Sequence, residues 1–339
     1  MKAALHAWLR ETWRRHGLAA RLLWPLSWLY GLVQGRVMAR KSAQARHPDA
    51  LVIVIGNVVA GGAGKTPLTI AVVQHLLQRG WQVGVISRGH GRRSGDTLAV
   101  LAHSHPDAVG DEPLLIHKRT GVPVWVARQR LDAANALLRS HPQVQVLVCD
   151  DGLQHRALAR DLEICVMDER GIGNGWLLPA GPLREPWPRP TDLLVHHPDQ
   201  PFDGGHAVHR HLADHAVDGH GQQQALSDMQ GRPVDALAAI AKPERFFDML
   251  SHAGITLRHR HALPDHDRQN SCRPAADGTP LLCTEKDAVK LWPQAPEALA
   301  VPLELSLPPA FWQALDQRLE GLRARRSIRP VQAPAPTSR

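Results

Sequence analysis

The sequence predicts an α/β fold: a parallel sheet covered by helices on both faces, a second and smaller α/β unit after it, and a helical arm before it. Three observations carry this. Short valine-rich apolar runs alternate with helix-length amphipathic segments along most of the chain. A glycine-rich loop joins the first such run to the first such helix. A segment crowded with tryptophan and arginine precedes both. Alternating strands and helices build a sheet covered on both faces, whose strands read as continuous apolar runs. With 339 residues, 43% of them hydrophobic, the chain has material for two cores, since single domains run to about 100–200 residues.

The arm, residues 1–46, holds Lys2, Arg10, Arg14, Arg15, Arg21, Arg36, Arg40, Lys41 and Arg46 against Glu11 alone. The whole net charge of +8 therefore sits there, and the remaining chain balances 31 basic against 31 acidic residues. A nucleic-acid surface would spread its cations over the folded domain, so no nucleic acid is expected, and the N-terminus is expected to meet an anionic partner. Trp8, Trp13, Trp24, Trp28 and Tyr30 lie in the same segment, around "LAARLLWPLSWLYGLV". Tryptophan and tyrosine favour the headgroup boundary and arginine is drawn to anionic lipid, which predicts a pair of interfacial helices on a membrane surface. Arg21 and Pro25 interrupt the apolar stretch well short of the roughly 20 residues that a spanning helix needs. No A-x-A-like site follows it, so it does not read as a secretory signal. Cys149, Cys165, Cys272 and Cys283 form no C-x-x-C pair, so neither a disulfide framework nor a zinc ribbon is expected, and a reducing setting fits.

Residues 47–205 form the first predicted domain. Its elements are "LVIVI" (51–55), a helix from Thr66 to about Gln78, "QVGVI" (82–86), "VPVWVA" (122–127), a helix through "RLDAANALL" and "VQVLVCDD" (144–151). From Gly171 the stretch "GNGWLLPAGPLREPWPRP" has too many glycines and prolines for a regular element and reads as a loop over the sheet's edge. His206, His209, His211, His215 and His220 follow at spacings that match no ligand motif, and a solvated loop without metal is expected. The second domain, 206–327, contains "VDALAAIA", a helix opened by Pro243, "TPLLCT", "ALAVPLELSL" and a last helix. Residues 328–339 are proline-rich and polar and are predicted to be disordered.

The chemistry begins at "GNVVAGGAGKTPL". Glycines at 61, 62 and 64 let backbone amides turn onto anionic oxygens, so the predicted cradle runs through Val59, Ala60, Gly61, Gly62, Ala63, Gly64, Lys65 and Thr66. Lys65 suits the β- and γ-phosphates, and the Thr66 hydroxyl suits Mg²⁺. Pro67 fits the first turn of the helix whose N-terminus completes the anion site. Val59 stands where the G-x-x-x-x-G-K-[ST] pattern has its first glycine, but "GGAGKT" matches the shorter G-G-x-G-K-[ST] variant. The first domain is therefore predicted to be P-loop NTPase-like, with three α/β/α layers.

A nucleotide site also needs carboxylates for its metal. Asp150 and Asp151 supply two at a strand end. Asp111 and Glu112 in "VGDEP" open a helix, where acids serve equally as caps. "SRGHGRR" offers Arg88 and Arg92 as phosphate clamps or as part of a solvated loop, and "GPLREP" offers Arg184 and Glu185. "LPDHD" sets His266 between Asp265 and Asp267, as a partner for a base or as surface decoration. A rival reading is a regulatory GTPase such as a metallochaperone. It lacks N-K-x-D, since "TEKD" (284–287) has its lysine adjacent to the aspartate.

"GNVVAGGAGKTP", "SRGHGR", "GDEP", "DDGLQHR", "GNGWLLPAGPLREP", "KPERFF" and "TEKDAVK" follow "PLSWLYGLV" in this order. Over about residues 15–325 the chain thus resembles the tetraacyldisaccharide 4′-kinases. The resemblance implies ATP-dependent phosphorylation of the 4′-hydroxyl of a tetraacylated glucosamine disaccharide 1-phosphate, with ATP and Mg²⁺ as cofactors. It implies a lipid disaccharide substrate in the membrane, an anionic membrane surface as partner, a monomer, and the cytoplasmic face of the inner membrane of a Gram-negative bacterium. Lys65 and Thr66 would hold phosphate and Mg²⁺, with Asp150, Asp151 and Glu112 around the metal. Asp111 would act as base, supported by His266, and Lys65, Asp151 and Arg184 would complete the catalytic set. Asn57, Arg88, Arg130, Arg184 and Glu185 would contact substrate or the transferring phosphate. One departure is His90, which stands where the family's S-R-G-Y-G-R has an aromatic residue.

Overall fold

The structure, a computed structural model, describes residues 8–9, 11–264, 274 and 277–326. His266 and the tail 328–339 lie outside the described residues. The first half of the chain runs α1 (Leu18–Ala43), β1 (Leu51–Gly56), α2 (Lys65–Gln78), β2 (Val83–Ser87), β3 (Leu98–Val100), α3 (Pro106–Val109), α4 (Asp111–Thr120), β4 (Val124–Val126), α5 (Arg130–Ser140), β5 (Val146–Asp150) and β6 (Leu162–Met167). The second half runs β7 (Leu193–His196), β8 (His206–Ala207), β9 (His209–Leu212), β10 (His215–Val217), β11 (Gln223–Ala225), β12 (Pro233–Ala238), α6 (Pro243–His252), β13 (Thr256–Ala262), β14 (Leu281–Thr284), α7 (Glu285–Leu291), β15 (Leu299–Val301), β16 (Leu303–Ser306) and α8 (Pro309–Arg326).

These elements fall into two compact units. The first takes the chain up to Arg88, then Ala127–His209 and the stretch from Leu307; the second takes Gly89–Val126 and Arg210–Ser306. The expectation is of continuous domains meeting at 205/206, and the structure differs in three places, the first being that the junction falls at 209/210. The stretch 89–126 belongs with the second unit, and α8 belongs with the first. For α8 the reason is visible in its contacts. Phe311, Leu315 and Leu319 are buried, Asp316 takes His75 at 2.8 Å and Arg79 at 2.6 Å, and Trp312 stacks on His75. An amphipathic helix announces that one face is buried but not which surface buries it.

In the first unit six strands lie in the order β2-β5-β1-β6-β7-β8, and every pairing is parallel. Strands β1, β2, β5, β6 and β7 are buried along their whole length, as a sheet covered on both faces requires. Strands β6 and β7 go beyond the expected set, because Glu163 and the following prolines mask a short apolar run. In register, Ile55 of β1 faces Asp150 of β5. The loop after β1 and the acids after β5 therefore leave the sheet side by side, at the carboxyl edge where α/β sheets bind ligands.

The second unit holds a six-stranded sheet in the order β11-β10-β15-β14-β12-β13. Its β12, β13, β14 and β15 pair in parallel, while β10 and β11 are antiparallel. Phe246, Phe247 and Leu250 of α6 pack with Val234, Ala236 and Leu282 to form its core. The histidine-rich stretch from His206, expected as a loop, contributes the short strands β8, β9, β10 and β11. Residues 209–212 alternate outward and inward, with His209 and His211 exposed. Strand formation here follows from pairing and partial burial, which local composition does not reveal.

In the arm, α1 is one helix that continues through Pro25, and Trp8, Leu9, Glu11 and Thr12 are also helical. One side of α1 packs on the 174–184 loop. The buried Ser27 hydroxyl donates to the Leu177 carbonyl at 2.8 Å and accepts from the Ala180 amide at 2.9 Å. Tyr30 donates to the Arg184 carbonyl at 3.1 Å. The opposite side presents Leu18 at 81% and Leu22 at 80% exposure, with Trp24, Leu26, Trp28, Leu29 and Val33 more than half exposed. Ser27→Ala leaves the Ala180 amide without its partner, while the Leu177 carbonyl keeps the Gly181 amide at 2.9 Å; a buried donor left unsatisfied costs about 1–3 kcal/mol. A melting temperature lower than wild type by several degrees is the expected result in a thermal unfolding scan.

Candidate active site

The loop after β1 is shaped by its glycines. Gly61 (φ 99°) and Gly64 (φ 77°) lie in the left-handed region that side-chain-bearing residues avoid. Gly64 is also the residue from which α2 starts, so Lys65 and Thr66 open the helix whose N-terminal amides favour an anion. Within the loop the buried Asn57 amide donates to the Val59 carbonyl at 2.7 Å, and its Oδ1 accepts from Lys65 Nζ at 3.3 Å. The ammonium also lies 3.5 Å from Asp151 Oδ1, and Arg184 Nη1 approaches the same oxygen at 3.8 Å.

Asp151 is the one non-glycine residue with positive φ, 50°, among the described residues. An acid held in a sparsely populated conformation at a sheet's carboxyl edge marks a candidate functional position. Burial alone would raise its pKa, but Lys65, Arg184 and Arg130 outweigh burial and hold the carboxyl below its usual range. Its Oδ1 is buried and makes no hydrogen bond. Asp150 lies deeper, with Oδ1 accepting from the Thr69 hydroxyl at 2.9 Å. Arg130, 3% exposed, donates Nη2 to the Asp151 carbonyl at 3.1 Å, while its Nε and Nη1 have no hydrogen-bond partner. Hard oxygens from Asp151 and Thr66 beside a lysine form a donor set that fits Mg²⁺ on a polyphosphate. Asp151 Oδ1, buried and facing the Lys65 and Arg184 cations without a hydrogen bond, is the observation that supports the fit.

Several residues take different places from those expected. Ala60 does not lend its amide to the cradle, because that N–H donates to the Pro182 carbonyl at 2.8 Å. Val59 is buried and bridged to Leu183. Asn57 and Glu185 are both buried and engaged within the protein. Asn57 braces the loop from inside, and Glu185, 4% exposed, accepts from Gln154 at 2.8 Å and from Arg156 at 3.1 Å. Arg88 is exposed at the end of β2.

Two contributors were not singled out from the sequence. Gln154 donates to the Asn57 carbonyl at 3.0 Å as well as to Glu185, and so ties "DDGLQHR" to both the loop and "LREP". Arg170 donates to the carbonyls of Ala60 and Gly62 at 2.9 and 3.1 Å. His155, in the same motif as Gln154, is pushed down to about 4 by burial and by the Arg130 and Arg88 cations, so it is neutral at neutral pH.

In the second unit Asp111 and Glu112 open α4. Asp111 is 5% exposed. Its Oδ1 accepts from the Glu112 amide at 3.0 Å, and its Oδ2 lies 3.3 Å from Lys290 and 3.8 Å from Lys286. Lys286 also reaches Glu112 at 3.6 Å. "TEKDAVK" therefore supplies two cations to "GDEP". Gly110 and Gly89 meet there so closely that a Cβ at 110 would lie 3.0 Å from the Gly89 Cα, which fixes "SRGHGRR" against the start of α4. The fully buried Asp287 has its carboxyl raised by burial, offset by bonds from Thr284 and the Ala239 amide, and holds the turn into α7.

A loop of glycine, lysine and threonine beside an ionised aspartate paired with two cations can bind and polarise a polyphosphate. Comparison with known proteins agrees. Residues 19–320 match the family model described as tetraacyldisaccharide-1-P 4′-kinase. A tetraacyldisaccharide 4′-kinase of Acidovorax sp. (strain JS42) is 54% identical over 93% of this chain and 95% of its own. One of Dechloromonas aromatica (strain RCB) is 44% identical over 94% of this chain and 98% of its own. A crystal structure of "apo" form LpxK from Aquifex aeolicus in complex with ATP superposes with a TM-score of 0.78 at 25% identity, covering 88% of this chain and 99% of that one. With the glycine loop, the acid pairs and the proline-rich loop all inside the matched region, this chain belongs to the tetraacyldisaccharide-1-P 4′-kinase family.

Proposed function

We propose that the chain is an ATP-dependent kinase that transfers the γ-phosphate to the 4′-hydroxyl of a tetraacylated glucosamine disaccharide 1-phosphate, a step in lipid A biosynthesis. The observation that carries the chemistry is the Lys65 ammonium, poised between Asn57 Oδ1 at 3.3 Å and Asp151 Oδ1 at 3.5 Å at the head of the glycine loop. Phosphoryl transfer asks little covalent chemistry of a protein and consists mostly of positioning and charge stabilisation.

In this reading the amides from Gly61 to Thr66 and the Lys65 ammonium bind the β- and γ-phosphates. Thr66, Asp150, Asp151 and Glu112 would be the oxygen donors for Mg²⁺, which would neutralise charge on the phosphate oxygens. Arg184 offers a second cation to the transferring group. Arg130 does the same, and its buried, unsatisfied donors fit an anionic partner. Arg88 is a candidate contact for substrate phosphate. Asp111 takes the proton from the 4′-hydroxyl as that oxygen bonds to the γ-phosphorus. The bond from phosphorus to the bridging oxygen breaks, and ADP leaves. His266 is the candidate partner of Asp111.

The acceptor is anchored by its acyl chains, and withdrawing a chain from a bilayer costs about 0.8 kcal/mol per methylene. The enzyme therefore has to work at the lipid surface. Among the described residues no helix is long and apolar enough to cross a membrane, whereas α1 leaves a broad apolar side exposed. We read α1 as lying in the interface with its arginines towards anionic headgroups, and the enzyme as a monomer at the cytoplasmic face of the inner membrane, where ATP is available.

The test is transfer of labelled γ-phosphate from ATP to the lipid disaccharide in mixed micelles; an unlabelled lipid would sink the proposal. Asp111→Asn is expected to lose about 10²–10⁴-fold in turnover, the usual range for a general base, with nucleotide affinity kept in a calorimetric titration. Lost affinity in that variant would instead make Asp111 part of the metal site. For the membrane, the double variant Leu22→Glu/Leu29→Glu leaves the Ser27 and Tyr30 contacts in place. It is expected to lose sedimentation with anionic vesicles while keeping the wild-type melting temperature.

A further inference from the structure

Arg170, just beyond β6, lies against the phosphate loop without being part of it. Its Nη1 donates to the Ala60 carbonyl at 2.9 Å and its Nη2 to the Gly62 carbonyl at 3.1 Å. The guanidinium is aimed by Asp168, whose carboxylate accepts from Nε at 3.0 and 2.8 Å and pairs with Nη2 at 2.7 Å. Asp168 is itself buried, and its Oδ1 also accepts the Arg170 backbone amide at 3.0 Å. One planar fork thus holds two carbonyls that are two residues apart, an arrangement that suits arginine and not lysine.

The consequence follows from peptide planarity. In a trans peptide the C=O and the next residue's N–H point in opposite directions. Fixing the Ala60 and Gly62 oxygens on Arg170 therefore turns the Gly61 and Ala63 amides to the other side of the loop. A free loop of glycine and alanine would have to lose backbone freedom on binding an anion, and glycine has the most to lose. The same contact restricts residue 61, where a Cβ would meet Arg170 Nη1 at 3.1 Å.

We propose that Arg170, oriented by Asp168, is a positioning residue for nucleotide binding: it holds the outward carbonyls of the phosphate loop so that the loop's amides are set for the phosphates before the nucleotide arrives. This rests on the reading of the loop as the ATP site. It assigns Arg170 no contact with the transferring phosphate, so its effect belongs to nucleotide affinity and not to the chemical step.

The experiment uses the full chain and measures the dissociation constants of ADP and a non-hydrolysable ATP analogue by calorimetry, alongside steady-state kinetics in mixed micelles. Arg170→Met is expected to weaken nucleotide binding and raise the KM for ATP on the order of tenfold, the equivalent of one charge-assisted hydrogen bond. The KM for lipid and kcat at saturating ATP are expected to stay within about threefold, since uniform binding alone is lost. Arg170→Lys recovers part of the affinity, because one ammonium reaches one carbonyl. Asp168→Asn, nearly isosteric, shows the same direction of change and guards against a folding defect in the first variant. Wild-type nucleotide affinity in folded Arg170→Met overturns the proposal. So does a fall in kcat at saturating ATP with KM unchanged, which would make Arg170 a catalytic residue. A wild-type chain that binds ATP but does not label the lipid refutes the kinase reading and leaves the affinity comparison intact; one that binds no nucleotide refutes both.

Discussion

The constraint on which the first unit depends is the direction of a few peptide planes. A phosphate loop works only while its amides face an anion and its carbonyls face elsewhere, and every carbonyl turned away needs a donor of its own. The donors come from all around. Asn57 takes the Val59 oxygen, the Arg184 amide takes the Val58 oxygen at 2.7 Å, and Arg170 takes those of Ala60 and Gly62. The proline-rich loop, a gap in the secondary structure when met as sequence, is thus one wall of the loop. The same stretch seats α1 through Ser27 and Tyr30. The apolar helix and the nucleotide loop are therefore two sides of one hydrogen-bonded strap.

Legibility from sequence divides along the same line. Strands β1, β2 and β5 and helices α2, α5 and α6 were readable because each is a local pattern: an apolar run, a glycine turn, a proline at a helix start. Lys65, Thr66, Asp150 and Asp151 stand out as candidates because strand ends and phosphate loops place residues by adjacency, and the fold sets Lys65 3.5 Å from Asp151. What stayed hidden is set by partners distant in sequence. Asn57, a polar residue beside a phosphate loop, looks like a contact for ligand, and only the three-dimensional arrangement shows it turned inward onto Val59 and Lys65. Glu185 looks like a substrate contact for the same reason, yet Gln154 and Arg156 hold both of its oxygens. Arg170 sits in "MDERGIG", a stretch with no periodicity and no motif, and nothing short of the fold brings it to the loop.

The charged cluster behind the proline-rich loop extends the argument to energetics. Glu163 accepts from Arg156 at 3.3 Å and Arg160 at 2.9 Å, and pairs with Arg189 as well. Arg156 and Arg189 also face Glu185. Burying several charges costs each its hydration, and such a network need add no net stability over an apolar core. What it adds is mutual dependence. Removing one arginine leaves a carboxylate buried and underpaired, which is far more costly than the pair's own contribution. An apolar core would have tolerated slippage of the loop by part of a residue, whereas fixed charges with directional bonds do not. The cluster thus sets the register of Arg184, whose amide meets Val58 and whose guanidinium meets Asp151.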